Sequence, residues 1–127
     1  MGKYHKPGFR RSLNQAWRGL HHTWRTQRHM KFHIIAGVSA LCFAWLWRIT
    51  NFEWLILILA IGCVMSAEVM NTAVEIVVDM VQPNFHPLAG MAKDVAAGAV
   101  LVTAIQAIAI VMIVFFPRFY SLVGKMF

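Results

Sequence analysis

The sequence predicts an all-α integral membrane protein, in which an N-terminal amphipathic surface helix precedes three transmembrane helices. The chain of 127 residues is 59% hydrophobic and only 13% charged, and its mean hydropathy is +0.59. That composition is too apolar for a soluble domain of this size. In addition, the basic residues are concentrated near the N-terminus, and three apolar stretches come close to or exceed the roughly 20 residues that cross a bilayer.

The surface helix is predicted over about 12–28, with Ser12 as its N-cap. Apolar residues in this segment recur at intervals of four, three and four, while arginine and histidine occupy much of the remaining surface. Such a pattern is typical of a helix that lies in the membrane interface with tryptophan at headgroup level. The apolar positions are Leu13, Trp17, Leu20 and Trp24.

The transmembrane segments are predicted at about 31–47, 52–81 and 92–116. Two prolines, Pro83 and Pro87, break the chain between the second and third segments. The chain has no internal repeat and no low-complexity tract, and its length and composition allow one domain at most. We therefore expect a single membrane domain over 1–127.

Charge predicts the orientation of the chain. Eight of the twelve lysines and arginines precede position 33, and no acidic residue precedes Glu53. The positive-inside rule then places the N-terminus of this multi-pass protein in the cytoplasm, at the cell (plasma) membrane. The formal net charge is +7. A basic arm beside a membrane span favours anionic lipid headgroups as its partner, so we expect no nucleic acid partner.

Four polar residues form one stripe on the second membrane segment. They are spaced by three, four and four residues, so they fall within an arc of roughly 80° on a helix. Each carboxylate at membrane depth costs about 2.5–3.5 kcal/mol on insertion scales, so the stripe requires a binding partner. The stripe consists of Glu68, Asn71, Glu75 and Asp79.

Two interpretations of the stripe remain open on spacing alone. Carboxylates beside Lys93 and Asp94 suit a Mg²⁺ ion that carries phosphates, which indicates a phosphotransferase. Glu68 lies eleven residues, or about 16 Å, from Asp79 along the helix, at a depth that a lipid hydroxyl reaches. Alternatively, carboxylates inside a membrane mark a proton or ion path, or a polar seam between helices.

Two segments of the chain resemble the prokaryotic diacylglycerol kinase family. Residues 68–79 read EVMNTAVEIVVD and residues 86–98 read HPLAGMAKDVAAG. They match that family's signature of E-x-x-N-[ST]-A-[IV]-E followed after a short gap by A-K-D. The second segment is more similar to the Gram-positive branch, whose members mostly phosphorylate undecaprenol. The resemblance therefore implies an ATP-dependent lipid kinase that acts on undecaprenol, with diacylglycerol as the alternative acceptor.

The resemblance also implies a homotrimer that uses MgATP at sites shared between subunits. It assigns Glu68 as the catalytic base, Glu75 as a metal ligand, and Asn71 and Asp79 as supporting residues. The residues that the resemblance implies to bind ATP are Glu75, Asn84, Phe85, His86, Lys93 and Asp94.

At position 27 the sequence departs from the family pattern, which usually has a second metal-binding glutamate there. Gln27 offers a carbonyl oxygen but no negative charge, so we expect weaker Mg²⁺ binding than in the family. A catalytically weak or non-enzymatic protein that keeps the fold is the alternative. His29 is a candidate substitute ligand, and Arg10 and Arg11 align loosely with nucleotide-binding positions. His21, His22 and His33 have no ligand spacing and are assigned no role.

Overall fold

In the computed structural model, which describes residues 8–124, the chain forms four α-helices. They are α1 (Phe9–Thr26), α2 (Arg28–Leu46), α3 (Asn51–Val81) and α4 (Pro87–Gly124). No strand occurs within residues 8–124. Helices α2, α3 and α4 are each long and apolar enough to cross a membrane. The predicted all-α membrane fold is therefore confirmed.

Helix α1 begins at Phe9, one turn earlier than predicted. Gly8 is the N-cap, and its carbonyl accepts hydrogen bonds from the backbone N–H groups of Arg11 and Ser12. The predicted Ser12 cap is therefore wrong. The apolar stripe explains the earlier start, because Phe9 precedes Leu13 by four residues and adds one position to the same face. That face is exposed, as expected for a helix that lies against lipid.

A tight turn joins α2 to α3. Arg48 has φ of 47°, and the N–H of Ile49 bonds to the carbonyl of Ala44, which together end α2 as a Schellman motif. The next helix starts with a capping box, in which the Thr50 side chain accepts from the Glu53 N–H and the Glu53 carboxylate accepts from the Thr50 N–H. These local signals make a sharp helical hairpin.

Helix α3 runs antiparallel to both α2 and α4. At one end of the bundle, the ring centroids of Trp47 and Phe115 lie 5.5 Å apart, beside the small buried core. The residues of that core are Ala44, Ile49, Leu57 and Val114. At the other end lie the start of α2, the end of α3 and the start of α4. Most other apolar side chains on these helices are exposed, which suits helices that face lipid.

Helix α4 continues to Gly124, beyond the predicted end at 116. Pro117 lies inside it and removes one backbone donor. The guanidinium of Arg118 donates to the Val114 carbonyl and makes a two-pronged ion pair with Glu53, at 2.8 and 2.7 Å. This ion pair joins the start of α3 to the last turns of α4.

Candidate functional site

The stripe predicted on α3 lies where the start of α2, the end of α3 and the start of α4 meet. We call this region the polar end, defined by Glu68, Asn71, Glu75 and Asp79. Glu68 and Asn71 are buried, Glu75 is half-buried and Asp79 is exposed. The stripe therefore grades from the interior of the bundle to its surface.

Glu68 is the deepest carboxylate, and its side chain is only 3% exposed. Its Oε1 atom lies 3.2 Å from Nε2 of His33 on α2. The two groups are too poorly aligned for a hydrogen bond, so Oε1 has no hydrogen-bond partner within residues 8–124. The hydroxyl of Thr72 donates to the backbone carbonyl of Glu68, not to its carboxylate. Glu68 is thus a buried carboxylate with unused acceptor capacity.

Glu75 lies two turns after Glu68, nearer the end of α3, and its carboxylate accepts hydrogen bonds from two side-chain amides. Nε2 of Gln27 lies 2.7 Å from one carboxylate oxygen, and Nδ2 of Asn71 lies 2.9 Å from the other. The Asn71 Oδ1 atom is buried and has no hydrogen-bond partner in the described part of the chain. The three side chains form a compact polar cluster centred on one carboxylate.

The break between α1 and α2 places Gln27 in that cluster. Gln27 is extended, with φ of −95° and ψ of 116°, and its N–H donates to the Thr23 carbonyl to close α1. The side chain is then free to point across to α3. The structure thus brings Gln27 and Glu75 together, as expected for two residues of one site.

Lys93 and Asp79 form an ion pair between the start of α4 and the end of α3. Both side chains are substantially exposed, at 37% and 64% respectively. Screening by water makes such a pair a weak contributor to stability, about 1 kcal/mol or less. Releasing Lys93 from Asp79 therefore costs little free energy. Its ammonium group lies at the exposed side of the polar end and is accessible to an anion.

The remaining predicted nucleotide residues are exposed and lie outside these contacts. Phe85 is 94% exposed, and Asn84 and Asp94 are exposed on the connecting segment and on α4. His86 uses Nδ1 to accept a hydrogen bond from the Leu88 N–H, so it caps the start of α4. The structure leaves these side chains at the surface of the polar end, without bringing them into the cluster around Glu75.

The donor set fits a hard cation in part. Within residues 8–124 no group of three His, Cys, Asp or Glu side chains could hold a metal ion. Mg²⁺, however, often uses one or two carboxylates and completes its shell with phosphate oxygens and water. Glu75 supplies the carboxylate, and the unpartnered Oδ1 of Asn71 is a spare buried oxygen beside it.

His33 is a residue of the polar end that the sequence reasoning missed. In an antiparallel helical hairpin, residues equidistant from the turn face each other, and both 27 with 75 and 33 with 68 are centred on about residue 51. If the polar residues of the first two membrane segments are matched by their distance in sequence from that turn, His33 falls opposite Glu68. The Glu53–Arg118 pair was missed as well, because it joins α3 to α4 across 65 residues.

An apolar groove of about 440 Å³ runs along the membrane segments and ends at the polar end. His33 lines it, together with small and apolar residues of α2, α3 and α4. Gly37 lets α2 and α3 approach closely beside the groove, since a Cβ at that position would lie 3.3 Å from Cγ2 of Ile61. The groove therefore joins the lipid-facing part of the bundle to the neighbourhood of Glu68.

Comparison with known proteins relates this arrangement to one family. The sequence profile described as prokaryotic diacylglycerol kinase matches residues 14–115. The chain is 41% identical over 110 residues to an undecaprenol kinase of Bacillus subtilis, a match that covers 87% of this chain and 89% of the relative. It is 38% identical over 112 residues to a diacylglycerol kinase of Synechocystis, covering 87% and 64%. It is also 32% identical over 104 residues to a diacylglycerol kinase of Escherichia coli K12, covering 80% and 85%.

Proposed function

The chain belongs to the prokaryotic diacylglycerol kinase family of lipid kinases, and we propose that it transfers the γ-phosphate of ATP to the hydroxyl of undecaprenol. The choice of undecaprenol is supported by the identity of 41% with the Bacillus subtilis undecaprenol kinase. The transfer takes place at the cytoplasmic face of the cell membrane, where ATP is present. The N-terminal excess of basic residues supports that orientation.

The observation that carries the proposal is the position of Glu68. Burying a carboxylate so nearly completely costs free energy, and a role in the chemistry is a reason for the chain to keep it there. It lies beside the end of an apolar groove, where the chain of a lipid alcohol can remain in an apolar environment while its hydroxyl reaches the carboxylate. There Glu68 accepts the hydroxyl proton as the oxygen attacks the γ-phosphorus.

The outer part of the polar end binds the nucleotide in this proposal. Lys93 places a cation against the phosphates, and the positive end of the α4 helix dipole favours an anion there. The exposed side chains around this entrance contact the rest of the nucleotide. They are Asn84, Phe85, His86 and Asp94.

Mg²⁺ is the metal that this donor set suits. Glu75 would hold it, and the amide oxygens of Gln27 and Asn71 would be available as further ligands. When bound, the ion neutralises charge that accumulates on the phosphates during transfer. Asp79 supports the site by positioning Lys93.

We further propose that the chain works as a homotrimer in contact with anionic lipid headgroups. Family membership supports the trimer, and the long exposed apolar faces of α2, α3 and α4 provide surface for helix packing as well as for lipid. The basic, amphipathic α1 supports contact with anionic headgroups.

Diacylglycerol is the second candidate acceptor. The relatives from Synechocystis and Escherichia coli carry the name diacylglycerol kinase, and they are 38% and 32% identical to this chain. Both acceptors present one hydroxyl at the membrane surface, so the same polar end would serve either reaction.

Phosphate transfer from labelled MgATP by the purified protein in mixed micelles tests the proposal. Undecaprenol and diacylglycerol are offered separately, and Glu68→Gln is compared with Glu53→Gln. The second variant makes the same chemical change at the opposite end of the bundle. We expect faster labelling of undecaprenol, a loss of about 10²–10⁴-fold in Glu68→Gln, and activity retained in folded Glu53→Gln.

Each other result has a distinct meaning. Faster labelling of diacylglycerol would change the acceptor and keep the mechanism. Equal loss in both variants would show that the bundle, not the carboxylate, was damaged. Failure of well-folded wild-type protein to label either lipid would refute the proposed function.

A further inference from the structure

We propose that His33 is a positioning residue that orients the Glu68 carboxylate for proton abstraction. The inference rests on the proposed function, since it concerns the same transfer to a lipid hydroxyl. It begins with the burial of Glu68, whose Oε1 atom has no hydrogen-bond partner within residues 8–124. An ionised carboxylate in that environment requires a donor or a cation to keep it charged and fixed in direction.

His33 is placed to be that donor. Its Nε2 atom lies 3.2 Å from Oε1 of Glu68, and the other ion pairs among residues 8–124 involve different acids. The contact needs only a change in angle to become a hydrogen bond, because the distance already lies near the upper end of the normal range. The imidazole also meets the ring of Phe32 edge-on, with centroids 5.7 Å apart.

The groove determines the side from which a lipid hydroxyl approaches the His33–Glu68 contact. His33 lines the groove, whereas Glu68 lies behind it and is almost fully covered. A hydroxyl that arrives along the groove therefore meets the imidazole first, with the carboxylate directly behind it. With Nε2–H donating to Oε1, the other carboxylate oxygen of Glu68 is left to accept the hydroxyl proton.

The proposed transfer breaks two bonds and accounts for the proton and the leaving group. The O–H bond of the acceptor breaks and its proton moves to Glu68, while the acceptor oxygen bonds to the γ-phosphorus. The bond from the γ-phosphorus to the bridging oxygen of ATP breaks, and ADP leaves with that electron pair. His33 keeps its own proton throughout and stabilises the carboxylate before the transfer.

The test compares His33→Ala and His33→Gln with wild type in the undecaprenol assay. His21→Ala is the matched control, since His21 is an exposed histidine on α1 with no role in the site. We expect His33→Ala to lower kcat by about 10- to 100-fold, less than the full contribution of a general base because Glu68 remains. The KM for ATP should be unchanged, because the nucleotide is bound further out.

Two further measurements separate positioning from structural support. Added imidazole should restore part of the kcat of His33→Ala, and the Gln amide of His33→Gln should retain an intermediate kcat by donating to Glu68. In the Glu68→Gln background, His33→Ala should cause little further loss, because the two residues act as one unit.

Several results would overturn the inference. An unchanged kcat in folded His33→Ala would do so alone, and leave the proposed function standing. A loss that follows the melting temperature and resists imidazole would assign His33 to structure only. Wild-type protein that phosphorylates no lipid would overturn both proposals together.

Discussion

Replacing Gln27 by glutamate introduces a second carboxylate beside Glu75. In the structure, the Gln27 amide donates a hydrogen bond of 2.7 Å to a Glu75 oxygen. The Gln27→Glu change removes that donor and places like charges against each other. We expect the variant to be less stable than wild type in the absence of divalent metal, and to bind Mg²⁺ more tightly.

The magnitude follows from the two interactions that change. A hydrogen bond to a charged group contributes about 1.5–3 kcal/mol. Two carboxylates roughly 4 Å apart repel by about 4 kcal/mol at an effective dielectric constant of about 20, and less here because both side chains are half-exposed. The metal-free free energy of unfolding should therefore fall by about 2–4 kcal/mol.

A bound cation would reverse this loss, because its charge would be attracted by both carboxylates. We expect the Mg²⁺ concentration that gives half-maximal stabilisation to fall by about tenfold, which corresponds to about 1.4 kcal/mol. Thermal unfolding of wild type and variant in EDTA, followed by Mg²⁺ titration, measures both effects without reference to activity. Gln15→Glu is the matched control, since it adds the same charge at an exposed position on α1.

Two results would refute the reasoning at different steps. Equal melting temperatures for wild type and Gln27→Glu in EDTA would mean that the amide–carboxylate contact contributes nothing. A destabilised variant that Mg²⁺ fails to restore would keep the contact and remove the metal from this site. A Gln15→Glu protein that behaves like Gln27→Glu would assign the effect to net charge alone.

Three further substitutions separate nucleotide binding from stability. Lys93→Gln should raise the KM for ATP by tenfold or more while changing stability by less than about 1 kcal/mol, and Asp79→Asn, which breaks the same exposed ion pair but keeps the cation, should raise that KM less. Equal effects of the two variants on KM would assign the result to the ion pair. Arg118→Leu should lower the free energy of unfolding by about 1–3 kcal/mol, because it leaves the Glu53 carboxylate without its two-pronged partner. Its KM values should remain those of wild type, and an altered KM for either substrate would show that the two ends of the bundle are coupled.

The sequence predicted the features that depend on helical periodicity. The spacing of Glu68, Asn71 and Glu75 is enough to place them on one face of a helix, and hydropathy identified three membrane helices. Contacts between helices were harder to predict, because periodicity assigns a face without naming what packs against it. His33 was therefore left without a role, although the hairpin places it against Glu68.

Helix ends were also poorly predicted, for reasons that lie in local chemistry. The apolar stripe of α1 extends back to Phe9, so a good capping residue at Ser12 lies inside the helix. Proline normally disfavours a helix interior, yet α4 continues past Pro117 to Gly124, and Arg118 beside it bonds to Val114 and Glu53. The donor role of the Gln27 amide depends on the direction of a single side chain, which no sequence pattern specifies.

The last prediction concerns whether one polar end is complete within a single chain. Lys93 is paired with the exposed Asp79 of its own chain, whereas Glu68 is buried on α3. If sites are shared in a trimer, the Glu68 of one copy works with the Lys93 of its neighbour. Chains carrying Glu68→Gln and chains carrying Lys93→Gln, each of low activity alone at an ATP concentration well below the KM of Lys93→Gln, should then restore activity when they assemble together.

The expected recovery follows from random assembly of equal amounts of the two variants. A shared site draws Glu68 and Lys93 from different copies, so about one site in four receives both intact residues. Co-expression with two different tags isolates the mixed trimers and removes the single-variant ones. Each mixed trimer then has one intact site in three, so its rate at that ATP concentration should approach about a third of the wild-type value. A site contained within one chain predicts no recovery, since every chain then carries a defect. Activity no greater than that of the better parent would therefore establish that each copy supplies its own Glu68 and Lys93, and the trimer would have no part in forming the site.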